Sequence, residues 1–399
     1  MRNRIGKIAE GKIVVNGGGV FTPQVADFPF ERFNNCHVLP GFTDVHVHLR
    51  EPGFSYKETV RTGTEAAAAG GFTAICSMPN LKPCPDSAEN LKVQLEAIEK
   101  DALVRVYPYG AITAGQVGNQ VADLEGLAQD VVAFTDDGFG VMSDELMKQA
   151  MIKARELRKL IVAHCEDENY PKDSNEAEFK QLARDIELVR ETGCSYHVCH
   201  ISARESVELI RQAKAEGLDV TCETAPHYLT LTREDVERAK AEWGAKAGAC
   251  PGRFKMNPPI KGEEDRQALL EGIKDGTIDM IATDHAPHGM EEKSKAFEEC
   301  AFGIVGLETA FPVLYTKLVK EGIITLERLV EMMSTAPAER FGLANSDDSW
   351  SVWNLEEEYE INPEEFRSKG RSTPFEGWRV QGRCLATYLD GKEVYRFDK

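Results

Sequence analysis

The sequence has no apolar run long enough to cross a membrane as a helix. It has no excess of positive charge. Its 47 basic residues face 66 acidic ones, for a net charge of -19, which argues against a nucleic-acid surface. The N-terminal stretch MRNRIGKIAEGKIVV lacks a long apolar core and a small-residue cleavage site, so no signal peptide is expected. None of the ten cysteines forms a CxxC pair, which excludes zinc-ribbon and thioredoxin-like readings. Several lie inside apolar strand-like runs, as in TAICSM and YHVCHI, and buried free thiols in a reducing cytoplasm best explain the set, Cys250 among them. There is no internal repeat and no low-complexity tract. No GxGxxG fingerprint follows the first strand of the alternating region, so a dinucleotide-binding open sheet is the weaker alternative.

What is present is an alternation of short apolar runs and amphipathic segments from Gly41 onward. Helices are expected over 57–69, 87–99, 143–160, 179–191 and 203–216. Strands are expected at FTAICSMPN, VRVYPYGAI, DVVAFTDDG, LIVAHCED, CSYHVCHIS, DVTCETAPH and IDMIATDHAPH. Strand–helix alternation over most of the chain predicts parallel strands with crossover helices. Polar clusters recur at the carboxyl ends of these strands, as the active face of a (β/α)8 TIM barrel requires. Both termini instead alternate apolar and polar residues. The expected organisation is therefore a barrel over 40–335. A small β-sandwich satellite domain would be built from 1–39 and 336–399.

One stretch organises the rest. In VHVHLREPG, His46, His48 and Arg50 are spaced by two and would share one face of a strand. Two imidazoles so close on a rigid backbone suit a single metal ion. A polar strand on a solvated face is the plain alternative. Most of the nine histidines fall at predicted strand ends, where five or more would meet in one barrel mouth. Divalent metals in such sites also take carboxylates, and Asp136, Asp137 and Asp284 are the candidates. Beside a metal, Asp284 can also accept a proton from water.

GFTDVHVHLREPG, MPN, FTDDG, HCED, HVCHIS, NPPIK, ATDHAPH and GIVGLETAFP together resemble the dihydroorotases of the amidohydrolase superfamily. The resemblance is closest to the longer bacterial class I type with an aspartate at strand four, and it covers nearly the whole chain. It implies reversible hydrolysis of (S)-dihydroorotate to N-carbamoyl-L-aspartate by a metal-bound hydroxide, the third step of de novo pyrimidine (UMP) biosynthesis. It implies His46, His48, Asp137, His164, His200 and Asp284 as metal ligands, with Asp136 as the fallback for Asp137, and one or two Zn2+ ions. Asp284 would be catalytic as the proton shuttle. Arg50, Asn80 and His288 would hold the substrate carboxylate; Asn257 and the loop Ala301, Phe302, Gly303 would hold the ring. A cytoplasmic homodimer, and association with aspartate transcarbamoylase, are further implications. Two other readings stand beside this one. One is a related cyclic amidohydrolase (hydantoinase, dihydropyrimidinase or allantoinase); the other is a non-catalytic paralogue that scaffolds aspartate transcarbamoylase. The chain departs from the family pattern in a shorter stretch between His164 and His200, a longer one over 239–254, and Cys300-Ala301 where relatives commonly have Ala-Pro.

Overall fold

The computed structural model describes residues 4–398 except 18, 24, 26–27, 243–250 and 345–347. Cys250 and the middle of the longer 239–254 stretch lie outside the described residues. The other nine cysteines form no disulfide, and eight of them are buried. No helix among the described residues is long and apolar enough to cross a membrane.

The barrel starts at strand Phe42–Val47, in which all six residues are buried. This strand pairs in parallel with Phe72–Ser77, which pairs in parallel with Arg105–Pro108. Strands Ile161–Ala163, Tyr196–Val198, Val220–Thr224 and Met280–Ile281 form a second parallel run. The two runs are joined at Phe134, which bridges to Gly110 on one side and Ile161 on the other. On the far side Val47 bridges to His285, and the His48 N–H donates to the His285 carbonyl over 2.8 Å. Counting the position at Phe134, eight strands close the ring.

The fourth position is less regular than the sequence suggested. Instead of a strand through DVVAFTDDG there are only the two bridges at Phe134. The next segment is turned by a side chain. Asp136 Oδ1 accepts the backbone N–H groups of Ile112 (2.8 Å) and Thr113 (3.0 Å), the kind of partners a longer strand would have offered its own carbonyls.

The crossover helices begin where hydroxyl caps place them. Ser87, Ser143 and Ser174 each accept a backbone N–H from the first turn of helices Ala88–Asp101, Asp144–Glu156 and Asn175–Thr192. Helix Val60–Ala69 starts three residues later than expected, because Thr59 and Thr62 form a reciprocal capping box. Lys57 is thereby left in the loop above the barrel. In helix Asp144–Glu156 the buried stripe is Met147, Ala150, Met151 and Ala154, the 3.6-residue period of a packed face.

The two termini meet in one continuous seven-stranded antiparallel sheet. In it Arg379–Leu389 lies beside Trp350–Glu360, which lies beside His37–Pro40, which lies beside Gly6–Ala9. The sheet has its own apolar core, which includes Ile8, Ile13, Phe33, Val38, Trp350 and Tyr388. The Trp350 and Tyr388 rings stack at 4.2 Å. Strand His37–Pro40 leads directly into the first barrel strand, so the sheet fixes the root of the element that carries His46.

Candidate metal and substrate site

The carboxyl ends of the barrel strands surround a cavity of about 460 Å³. Its lining includes His48, Arg50, Asn80, Asp137, His164, His200, Asn257, Asp284, His288, Phe302 and Gly303. His46 lies beneath this floor with no exposed surface. The plain alternative, a polar strand on a solvated face, is therefore excluded.

Asp137 is the centre of the cluster. Its Oδ1 lies 3.3 Å from His46 Nε2, 3.6 Å from His164 Nδ1 and 3.4 Å from His200 Nε2. Its Oδ2 lies 3.4 Å from His48 Nε2. Asp284 Oδ1 stands 3.2 Å from His48 Nε2 and 3.5 Å from His46 Nε2. Two compact groups result, His46–His48–Asp284 and Asp137–His164–His200, each with one ligand atom per residue within 4.8 Å of the others. Asp136, the fallback, faces away and is saturated by Ile112 and Thr113.

Four imidazoles and two carboxylates converge here with little else to bond. His46 Nε2 and Asp137 Oδ1 are buried and have no hydrogen-bond partner. Burial disfavours charge on Asp137, yet His46, His200 and His48 hold it well below the usual carboxylate range. Asp284 is likewise held low against burial, by its hydrogen bond to His48 and by the imidazoles around it. Buried carboxylates facing imidazole nitrogens match the donor set of a divalent cation such as zinc, and the residues fit a metal.

Two further carboxylates fix the rings. Glu223 Oε1 lies 2.7 Å from His46 Nδ1, and Glu223 Oε2 lies 3.2 Å from His197 Nε2. Burial would raise Glu223, but the charge of His46 and hydrogen bonds from both rings hold it at about 2. An ionised carboxylate only accepts, so His46 carries a proton on Nδ1, and Nε2 is the ring atom left facing Asp137. Glu166 Oε2 does the same for His164, 3.1 Å from its Nε2, and accepts Asn257 Nδ2 at 2.6 Å. Glu223 and Glu166 were not singled out in the sequence. Their only signal is position: each sits at a strand end, in CETAPH and HCED. Cys199 also lies within reach of His46 and Asp137, but burial keeps its thiol protonated. His227, on the short helix Pro226–Thr230, is buried but belongs to none of the ligand groups.

Arg50 reaches the cavity by a route the period-two spacing did not predict. The strand ends at Val47, and Arg50 adopts a left-handed φ of 61°. Its Nε donates to the Pro287 carbonyl at 3.2 Å, and its outer nitrogen lies 3.3 Å from His288 Nε2. Both of these partners lie outside the metal cluster. Asn80 donates to the Asp137 carbonyl at 2.6 Å and keeps a buried, unpartnered Oδ1. Gly303 has a φ of +129°, and a Cβ there would stand 2.6 Å from the Ala286 carbonyl, so only glycine lets this loop close against the cavity. Phe302 is exposed at the rim. Ala301 is not part of the lining; its carbonyl instead accepts Lys293 Nζ at 2.7 Å.

Residues 36–181 match a family model described as dihydro-orotase-like. A dihydroorotase from Brevibacillus brevis is 44% identical, over 99% of this chain and 97% of its own length. One from Fusobacterium nucleatum is 48% identical, over 90% of this chain and 88% of its own. Among solved structures, the L-hydantoinase of Arthrobacter aurescens has a TM-score of 0.80 at 28% identity, covering 90% of this chain and 85% of that one. The dihydropyrimidinase of Brevibacillus agri has a TM-score of 0.79 at 22% identity, covering 98% and 90%, a likeness of fold alone.

Proposed function

The chain belongs to the dihydroorotase family, and from that premise we propose how its own residues divide the work of interconverting dihydroorotate and N-carbamoyl-aspartate. The observation that carries the proposal is the placement of Asp137 between two imidazole groups, with Asp284 on the cavity side and Arg50 outside the cluster. His46, His48 and Asp284 would hold one metal ion and His164 with His200 a second, with Asp137 shared between them. Zinc suits this set of imidazoles and carboxylates. When bound, the metal supplies Lewis acidity, which polarises a carbonyl oxygen and makes water more acidic.

The protein supplies the rest. Arg50, with His288 and Asn80 beside it, binds the carboxylate that the ring carries. The planar guanidinium suits a carboxylate in a way that a neutral ring substrate would not use. That binding lays the scissile amide over Asp137 and Asp284. Asp284, held ionised, takes the proton of the attacking water and returns it to the leaving ring nitrogen. Asn257 and the Phe302–Gly303 loop border the opposite end of the ring. Glu223 and Glu166 keep His46 and His164 in the tautomers that face the centre. A cytoplasmic homodimer and association with aspartate transcarbamoylase are proposals from family resemblance; light scattering with and without that enzyme tests the assembly.

Arg50→Ala tests the division of labour. It is expected to raise KM for carbamoyl aspartate while metal content stays unchanged. Unchanged kinetics would overturn the carboxylate role.

A further inference from the structure

His288 stands between two side chains that only donate. Lys57 Nζ lies 3.2 Å from its Nδ1, and the outer nitrogen of Arg50 lies 3.3 Å from its Nε2. Ammonium and guanidinium groups have no acceptor, and a neutral imidazole has one acceptor nitrogen and one N–H. Burial, and then the charges of Arg50, Lys57 and Lys293, push the ring down to about 3, so it is neutral at neutral pH. The ring can therefore accept from only one of the two cations. At the other nitrogen, donor faces donor.

The surroundings decide which nitrogen accepts. Lys57 Nζ is anchored 2.8 Å from Glu292 Oε1. Glu292 Oε2 in turn accepts the Gly289 N–H at 2.9 Å, one residue beyond the ring it serves. Lys57, Glu292 and the 288–292 turn thus form one closed unit on the Nδ1 side. Glu292 Oε2 is itself 3.6 Å from Nδ1, too far to accept a proton from it. Arg50 is held at Nε by the Pro287 carbonyl, which leaves its outer nitrogen beside His288 on the cavity wall.

We propose that Lys57 donates to Nδ1 and so fixes His288 as the Nε2–H tautomer, making a paired donor site with Arg50 that the substrate carboxylate completes. A carboxylate placed there accepts from both groups, whereas an uncharged ring substituent leaves them opposed. Lys57 acts as a positioning residue that helps select a carboxylate-bearing ring. The proposal rests on the carboxylate role of Arg50 and His288.

The test joins spectroscopy to kinetics on the full-length, metal-loaded protein. Long-range proton–nitrogen correlation of 15N-labelled protein, with the His288 signals assigned by their loss in His288→Asn, reads the tautomer directly. The wild type is expected to show Nε2–H. Lys57→Met is expected to shift His288 away from that form. It should raise KM for dihydroorotate about 10- to 100-fold, the loss of one charge-assisted hydrogen bond, with kcat and metal content little changed. Lys57→Arg, which keeps a donor, is expected to restore KM. A wild-type ring carrying its proton on Nδ1 overturns the proposal even if Lys57→Met fails to fold. So does a folded Lys57→Met protein with unchanged tautomer and KM. If Arg50→Ala raises KM and Lys57→Met does not, only the tautomer proposal fails. If Arg50→Ala also leaves KM unchanged, the carboxylate reading fails and takes this proposal with it.

Discussion

His46 donates from Nδ1 to Glu223 Oε1 over 2.7 Å, and neither side chain has more than a trace of exposed surface. The pair joins the first and seventh barrel strands and leaves His46 Nε2 facing the centre. Glu223→Gln keeps the shape but replaces a fixed acceptor with an amide that can present either end. Its expected effect is a loss of metal affinity of about 10- to 100-fold. Competition with a chelator of known affinity measures it, and an unaltered metal affinity would show that His46 needs no such support.

Asp136 and Asp137 are neighbours with opposite surroundings. Asp137→Ala removes the oxygen shared by both imidazole groups, and the purified protein is expected to lose most of its metal. Asp136→Ala should retain metal but lose stability, because the Ile112 and Thr113 N–H groups are left buried without an acceptor. Each such group costs about 1–3 kcal/mol. Elemental analysis and thermal melting of the two variants separate the roles. The reverse pattern would exchange the assignments.

A pH effect arises outside the metal cavity. Glu308 accepts the backbone N–H groups of Arg367 (2.9 Å) and Ser368 (3.1 Å), and burial pushes its carboxyl from 4.5 up to about 7. A folded-state pKa above the unfolded one means that the native protein binds more protons between those values. Glu308 therefore makes stability fall as pH rises from about 4.5 to 7. Glu308→Gln should remove that component, so the variant gains on the wild type across this window. Denaturant melts at both ends of the window measure the difference. A constant gap between the two proteins would contradict it.

The sequence made the metal centre readable because its ligands advertise themselves. His46 and His48 are two apart, at and just past the end of a strand, and Asp284 lies in TDHAPH. The helix starts at Ser87 and Ser143 were equally legible, since a hydroxyl before an amphipathic run is a local signal. The supporting carboxylates were not legible. Glu223 is 177 positions from the histidine it orients, and only barrel closure makes them neighbours. Arg50 was found for an incomplete reason. Period-two spacing put it on the histidine face, but a left-handed turn beyond the strand is what aims it at Pro287 and His288. Lys57 was assigned to a helix, because its neighbours favour one. The Thr59–Thr62 capping box starts the helix after it and frees its side chain for His288.

The most direct measurement compares two substrates on the metal-loaded protein: dihydroorotate and the same ring without its carboxylate, dihydrouracil. Solved structures of similar fold include an L-hydantoinase and a dihydropyrimidinase, so the comparison separates family from fold. Hydrolysis of dihydroorotate with kcat/KM at least about 100-fold above that for dihydrouracil is expected, as the loss of a paired charge-assisted contact implies. Turnover of dihydrouracil with none of dihydroorotate would contradict the account.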